Sequence, residues 1–442
     1  MRHLRQILLG LCLVNVFVSS EPRKCEEYIC LPEVLRFQEY IGINTVSGQD
    51  LSAAVDFWKR LGDAQNVEVT VFEGVRGFPV VIMKWPGENS SLPSVLLNAP
   101  MDVTDAYYGE RWTYQPFSGK INDECEIVGR GTQGVKAAAM QYYEALSNLK
   151  RCDVTLLRDV YLVLTPDFIT FSQNGLGVFV QTEEFQNMNV GIALTVGIGS
   201  EGPELPILHQ DKTQIGLRVD CYGQSAFSAL LIDVNKTAAG PCIAFYNAYV
   251  NYREEQYTKS LESNDYSEYT AINYVGHLGV NADNIPFRKI PASLTIFISV
   301  NLAHDTSLEQ FHEIENGWKS DAVEIIRLFT YERSSITIAN ESNPYWVALK
   351  DTFDELDITV TSKTAPSVSD RRILSSAGIP TFGLLPIRNT PILVHAVNER
   401  LSIPVFLDGI CIYEKVIERL ANVPDDKVAD DPKMYLTEPT LI

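Results

Sequence analysis

The chain has 442 residues, of which 36 are Lys or Arg and 56 are Asp or Glu, so its formal net charge is −20. This acidity argues against a nucleic acid or an anionic membrane as a partner, because either would meet a repulsive field. With 45% apolar and 21% charged residues, the composition is that of a globular protein and excludes a largely disordered chain.

The N-terminal residues have the pattern of a secretory signal peptide. Arg2 and Arg5 give a basic start, and small residues follow an apolar run over 7–18. A membrane anchor is the alternative, but the run is shorter than the ~20 residues that a membrane-spanning helix needs, and Asn15 interrupts it. We therefore predict a signal peptide over 1–20 and a secreted, extracellular chain.

Three Asn-x-Ser/Thr triplets fit this route and are candidate N-glycosylation sites, at Asn89, Asn235 and Asn340. The chain has eight cysteines, and an odd number remains if Cys12 leaves with the signal peptide. A secreted protein can form disulfides, and an odd count leaves at least one thiol buried, reactive or paired between chains. The sequence does not determine the pairing.

Helical and strand-like patterns alternate in the first half of the chain. Helices are predicted over 32–43, 51–65, 136–152 and 176–185, and strands over 67–72, 78–85, 94–98, 160–165 and 190–195. From residue 94 onward, the order strand, helix, strand, helix, strand indicates a mainly parallel sheet covered on both faces.

The middle of the chain has a different pattern, which indicates a smaller α+β unit. Strands are predicted there over 213–220, 269–275 and 293–302, and helices over 241–253 and 308–327. The α/β pattern then resumes, with helices over 346–356, 370–377 and 403–420 and strands over 358–361 and 381–384.

These patterns predict an α/β domain that is interrupted by an inserted domain. The α/β domain is expected over 21–212 and 336–425, and the inserted α+β domain over 213–335. A polar tail is expected over 426–442.

Several motifs occur in the order in which one enzyme family has them. The string LLNAPMDV covers 96–103, PFSG covers 116–119, GRGTQGVK covers 129–136, IPTFG covers 379–383 and LVHAVNERL covers 393–401. By these motifs the chain resembles the aminoacylase/carboxypeptidase family of di-zinc amidohydrolases, and it is most similar to the aminoacylases, which deacylate N-acyl amino acids. The resemblance implies a zinc-peptidase-like core and an inserted domain that acts in the family as a dimerisation lid.

The resemblance also implies a site with two zinc ions, held in the family by two His, a bridging Asp and further carboxylates, with a Glu as general base. Carried over position by position, this site is nearly empty. The retained ligand is His395, together with Asp102, which steadies the first His in the family. The other ligands fall on Pro100, Gly134, Ile169 and Thr195, the general base on Phe168, and a His that crosses the dimer on Ala226.

Other interpretations of the retained residues stay open. Asp102 could hydrogen-bond nearby backbone, and His395 could be a packing or dimer-contact residue. Arg372 matches a family arginine that binds the substrate carboxylate, which a guanidinium could do without metal; a structural ion pair with Asp370 is the alternative. The replaced pocket could be filled, or it could take a small acyl or aromatic ligand.

The sequence therefore predicts a secreted, glycosylated and catalytically inactive relative of the aminoacylases, with no bound cofactor. It would act as a binding or dimer-partner protein, pairing through 213–335 with itself or with an active relative. One alternative is an N-acyl-amino-acid amidohydrolase or metallopeptidase with a rebuilt site. Another is an extracellular carrier of small carboxylate ligands that uses Arg372.

Overall fold

The computed structural model of the protein describes residues 24–106, 111–263, 265–278, 287–429 and 431–438. The predicted signal peptide over 1–20 lies outside the described residues. The chain divides into two compact units. The first runs up to residue 209 and also comprises 335–362 and 369–437, whereas the second comprises 210–334, 363–368 and the residues from 438.

The first unit is built on a mixed eight-stranded sheet. Its strands are β1 (Glu68–Phe72), β2 (Val80–Trp85), β3 (Ser94–Pro100), β6 (Val160–Thr165), β7 (Val190–Val196), β8 (Leu205–Gln210), β16 (Val360–Thr364) and β17 (Thr381–Leu384), in the order β1-β2-β6-β3-β7-β17-β8-β16. Strand β3 pairs in parallel with β6 and β7, and β17 pairs in parallel with β7, while the pairs β1–β2, β2–β6 and β8–β17 are antiparallel.

Helices cover both faces of this sheet, because alternate residues of its central strands point to opposite sides. In β3, Val95 and Leu97 join the larger apolar core, and Leu96 joins the smaller one. The fold class predicted from the sequence is therefore confirmed. The helices described in this unit are α1 (Cys25–Tyr28), α2 (Pro32–Gly42), α3 (Ser52–Gln65), α4 (Val135–Arg151), α5 (Leu176–Phe179), α6 (Glu183–Asn187), α9 (Pro344–Glu355), α10 (Arg371–Ser376) and α11 (Ile403–Ala421).

Helix α4 lies at the centre of the larger core and is buried from Val135 to Leu149. Helix α11 packs closely against it, and Gln141 donates a hydrogen bond to the Phe406 carbonyl at 3.1 Å. A Cβ atom at Gly409 would lie 2.0 Å from Gln141 Nε2, so a larger residue there would displace the Gln141 amide. Short strands complete the unit: β4 (Lys120–Ile121), β5 (Glu126–Val128) and β18 (Arg400–Ser402) form one small sheet, and β15 (Ile336–Thr337) pairs with β19 (Leu436–Thr437).

The second unit is an antiparallel sheet with two helices. Its strands are β9 (Gln214–Tyr222), β11 (Ala271–Leu278), β13 (Ser293–Asn301) and β14 (Val323–Tyr331), in the order β11-β13-β9-β14. Helices α7 (Ala239–Glu262) and α8 (Leu308–Trp318) share an apolar core with the sheet, and β10 (Ala226–Phe227) pairs with β12 (Lys289–Ile290).

The predicted helix over 308–327 is wrong in its second half. Helix α8 ends at Trp318, and the chain then forms β14, which pairs along its length with β9. Pairing with a strand that is distant in sequence outweighs the local helical spacing here. The predicted helix over 176–185 is divided, because Thr182 caps a new helix by accepting a hydrogen bond from the Phe185 N–H at 3.2 Å.

Two disulfides join parts of the chain that the sequence could not pair. Cys25 in α1 is bonded to Cys125, which precedes β5, across 100 residues of sequence, and Cys221 in β9 is bonded to Cys242 in α7 across 21. Cys30 is exposed. Within the described residues, no helix is both long enough and apolar enough to cross a membrane.

Candidate functional site

The candidate site lies at the carboxyl ends of the parallel strands β3, β6 and β7 in the first unit. Pro100 ends β3 and pairs with Thr165, which ends β6. Thr195 lies near the end of β7 and pairs with Gly383 of β17. Ligands of open α/β sheets bind at such strand ends, so Pro100 and Thr195 lie where a site is expected.

Asp102 is the central polar residue of this site and is fully buried. Its carboxylate accepts hydrogen bonds from the Phe168 N–H at 2.7 Å and from the Ile169 N–H at 3.0 Å. Burial raises the pKa of Asp102 to about 7, although these hydrogen bonds oppose the shift. The side chain that steadies a metal-binding His in the family therefore holds the backbone of the two residues that replace the family's Glu pair.

Two further buried carboxyls, Asp167 and Asp370, lie close enough to influence the acids next to them. Asp167 accepts hydrogen bonds from the N–H groups of Asn174 at 2.7 Å and Gly175 at 3.1 Å. Asp370 accepts from the hydroxyls of Ser172 and Thr165. Burial raises the pKa of Asp370 to about 6 and raises that of Asp167, and the charges of neighbouring acids add to the shifts of Asp370 and Asp102.

We call Asp102, Asp167 and Asp370 the acid cluster. Each carboxylate in it is bonded to N–H or hydroxyl groups of the protein, an arrangement suited to a structural role. From the sequence, Asp102 and Asp370 were considered separately, and the cluster was not predicted. The only signal in the sequence that could have indicated the cluster is that its members follow the ends of strands.

The acid cluster predicts that the protein is more stable at mildly acidic pH. A free aspartate has a pKa of ~3.9, whereas the pKa values of Asp102 and Asp370 are about 7 and about 6. A raised carboxyl pKa adds stability that is complete below pH ~4 and is lost as the pH rises through the folded-state value. We expect the free energy of unfolding to fall by about 2–4 kcal/mol between pH 5 and pH 7.5.

Urea-induced unfolding at a series of pH values measures this change. The Asp370→Asn substitution should reduce the fall in the free energy of unfolding, because it removes one of the titrating carboxyls. The variant should still fold, since the hydroxyls of Ser172 and Thr165 can rotate to bond an amide. The control Asp56→Asn, at an exposed aspartate, should leave it unchanged. Stability that rises from pH 5 to pH 7.5 would contradict the burial of these acids.

The retained histidine rests on a separate network of buried charges. Arg130 donates hydrogen bonds to the Ala396 carbonyl at 3.0 Å and to Glu399 Oε2 at 3.2 Å, and its guanidinium lies 5.0 Å from the centre of the Trp112 ring. Glu399 Oε1 accepts from the Gly131 N–H at 3.0 Å. These contacts hold the loop that carries His395.

His395 itself has a positive φ of 62°, a strained backbone conformation that persists only where surrounding contacts enforce it. His395 is exposed to solvent. Partial burial, followed by the positive charge of Arg130, lowers the pKa of His395. This shift favours the neutral imidazole, which is placed by the loop.

The remaining positions supply few groups that could bind zinc. Pro100 is buried, and Phe168 and Ile169 are half-buried. Gly134 precedes α4, and an added Cβ atom there would meet no described atom within 4 Å. Thr195 is 2% exposed, and its hydroxyl has no hydrogen-bond partner among the described residues.

Over the described ranges, no group of three or more His, Cys, Asp or Glu side chains is arranged to hold a metal ion. A zinc ion in a protein is usually held by three or four such ligands. The residues present at this site therefore do not fit the two zinc ions that the family uses.

Arg372 lies on α10 and is half-buried. Its Nη2 donates a hydrogen bond to the Phe171 carbonyl at 3.2 Å. Its positive charge partly opposes the rise that burial causes in the pKa of Asp370. One N–H group of the guanidinium is thus used by the protein itself. Binding of a substrate carboxylate by Arg372 stays a prediction.

The other predicted residues are a half-buried alanine and three exposed asparagines. Ala226 is in β10 of the second unit. Asn89, Asn235 and Asn340 are all exposed. Asn89 and Asn340 each accept a hydrogen bond from the hydroxyl of the serine two positions later, Ser91 at 2.6 Å and Ser342 at 2.8 Å.

Comparisons with known proteins agree with this architecture. Residues 96–419 match the sequence profile of the peptidase family M20/M25/M40. Aminoacylase-1 of Sus scrofa is 29% identical over 399 residues, which cover 89% of this chain and 96% of the relative, and aminoacylase-1 of Homo sapiens is 28% identical over 397 residues with the same coverage.

Solved structures share the fold at low sequence identity. Human carnosine dipeptidase 1 superposes with a TM-score of 0.71 at 13% identity, covering 94% of this chain and 99% of that one. The dipeptidase Dug1p from Saccharomyces cerevisiae superposes with a TM-score of 0.68 at 13% identity, covering 90% and 98%.

Proposed function

Since the chain belongs to the peptidase family M20/M25/M40, we propose that it is a secreted, catalytically inactive member that acts as a binding or dimer-partner protein. The observation that carries this proposal is the set of side chains at the site. Pro100, Gly134 and Ile169 offer no metal-binding atom, and Thr195 offers only a hydroxyl. Function depends on such a site and not on the fold that surrounds it.

The local contacts support the loss of the general base as well. Phe168 stands at the base position, and its backbone N–H is held by Asp102. A one-residue shift would bring Asp167 there, but its carboxylate is engaged by Asn174 and Gly175. Apolar side chains at an empty site also avoid the repulsion between unneutralised carboxylates, so these replacements are consistent with one another.

Secretion is supported by three observations. The first is the N-terminal sequence pattern. The second is the presence of two disulfides, which persist in oxidising compartments. The third is the exposure of Asn89, Asn235 and Asn340, which leaves each acceptor amide open to glycosylation.

A partner role is supported by large apolar side chains that the second unit leaves in solvent. Phe227, Leu230, Leu231 and Phe287 have exposed fractions of 53%, 58%, 103% and 82%. Contiguous patches of this kind mark interaction surfaces. We propose that the unit pairs with a second copy or with an active relative. In a mixed dimer this subunit would lower its partner's activity, because Ala226 stands where the family has the His that crosses the dimer.

Hydrolysis of N-acetyl-L-methionine tests the loss of activity. We expect no turnover above background, with or without added zinc, and no change on His395→Ala substitution. Turnover that disappears in His395→Ala would instead support the alternative, an N-acyl-amino-acid amidohydrolase with a rebuilt site.

Mass spectrometry before and after glycosidase treatment of protein secreted from eukaryotic cells tests glycosylation in the same preparation.

The partner role predicts a change of oligomeric state. Light scattering coupled to size-exclusion chromatography should give a dimeric mass for the native protein. Substitution of both Phe227 and Leu231 by serine should shift the mass toward a monomer, because two exposed apolar side chains are lost. The control Met434→Ser alters a residue of the first unit that is 69% exposed and should leave the mass unchanged. A monomeric native protein would refute self-pairing.

A further inference from the structure

A groove of about 550 Å³ lies along helix α8 and strand β14 of the second unit. We call it the α8 groove. Leu308 and Ile325 give it an apolar part. Its charged and titratable lining residues are Glu309, His312, Glu313, Glu315, Lys319 and Arg327.

Glu315 distinguishes this groove from an ordinary charged surface, because the residue is only 1% exposed. Its Oε2 accepts a hydrogen bond from Arg327 Nη2 at 2.7 Å and lies 3.4 Å from His312 Nδ1. Its Oε1 is buried and has no hydrogen-bond partner among the described residues. A buried carboxylate oxygen without a donor is unfavourable, so Oε1 needs an N–H donor beyond those that the described residues supply.

The positions of the charges narrow the class of ligand. Glu309, His312 and Glu313 follow the spacing i, i+3 and i+4, so they lie on one face of α8. Arg327 reaches the groove from β14, with 31% of its side chain exposed. Three carboxylates would repel a simple anion, and Lys319 and Arg327 would repel a simple cation, whereas a ligand that carries both charges can satisfy both sets.

We propose that the α8 groove binds a free α-amino acid with an apolar side chain. The ammonium group of the ligand lies toward the carboxylates, where it supplies the donor that Glu315 lacks. Its carboxylate lies toward Lys319 and Arg327, since a guanidinium suits a carboxylate. Its side chain lies on Leu308 and Ile325. The site is separate from the acid cluster and does not depend on the proposed loss of hydrolysis.

Isothermal titration calorimetry with three ligands tests the assignment. L-Leucine carries both charges, N-acetyl-L-leucine lacks the ammonium group, and isoamylamine lacks the carboxylate. We expect L-leucine to bind at least about tenfold more tightly than either analogue. Equal binding of N-acetyl-L-leucine, or no heat with L-leucine at millimolar concentration, would overturn the proposal.

A pair of surface substitutions locates the site. Glu313 and Lys319 are exposed, so Glu313→Gln combined with Lys319→Gln should leave the fold intact, as circular dichroism would verify. The combination should weaken L-leucine binding by about tenfold or more. The matched control, Glu268→Gln with Lys289→Gln, removes the same charges from exposed positions outside the groove and should leave the affinity unchanged. Unaltered affinity in the groove variant would place the ligand elsewhere and refute the assignment.

Discussion

Replacing Asp102 by alanine is expected to lower the free energy of unfolding by about 2–4 kcal/mol. The substitution leaves the N–H groups of Phe168 and Ile169 without the carboxylate that accepts their hydrogen bonds. It also leaves space in a fully buried position. The segment after β6 would therefore lose its attachment to the segment after β3.

The measurement is urea-induced unfolding at pH 5.5, below the pKa of about 7 that burial gives Asp102. At that pH the carboxyl is mostly neutral, so its removal does not relieve a buried charge. The exposed Asp56 serves as a control, and Asp56→Ala should change the stability by less than about 0.5 kcal/mol. An Asp102→Ala protein as stable as the native one would contradict a structural role for this carboxyl.

Removing the disulfide between Cys25 and Cys125 is expected to have a comparable or larger effect. The bond closes 100 residues of sequence, and a loop of that length restricts the unfolded chain strongly. Substitution of both cysteines by serine should lower the free energy of unfolding by about 3–5 kcal/mol. The second disulfide closes only 21 residues, so its removal should have an effect about 1 kcal/mol smaller.

Unfolding in urea under non-reducing conditions tests this order. Cys30 is exposed, and Cys30→Ser provides a matched control that should leave the stability within about 0.5 kcal/mol of the native value. Equal stability of the Cys25/Cys125 double variant and the native protein would show that the bond does not form in solution. That result would also remove one of the supports for secretion.

The sequence predicted the central elements well where local pattern and tertiary structure agree. Strands β6 and β17 have the predicted bounds, because short apolar runs bounded by turn residues leave few other structures. Strand β14 was missed, because its residues also fit a helical spacing and only pairing with β9 decides between the two. Strand β8 was not predicted.

For the candidate site, too, the sequence predicted one part and missed another. The degenerate positions were found because each follows a motif or a strand end in the sequence. The acid cluster was not found, because Asp102, Asp167 and Asp370 are distant in sequence and only the folded chain brings them together. The pairing of Cys25 with Cys125 was not predicted for the same reason. Neither contact leaves a local pattern.

The zinc content of the purified protein tests the central claim most directly. The protein should be secreted from eukaryotic cells in zinc-containing medium, dialysed without chelator, and measured by atomic emission. The residues at Pro100, Gly134, Phe168, Ile169 and Thr195 predict far less than about one zinc ion per chain. One to two tightly bound zinc ions per chain would contradict the account and would return the protein to the metal-dependent members of its family.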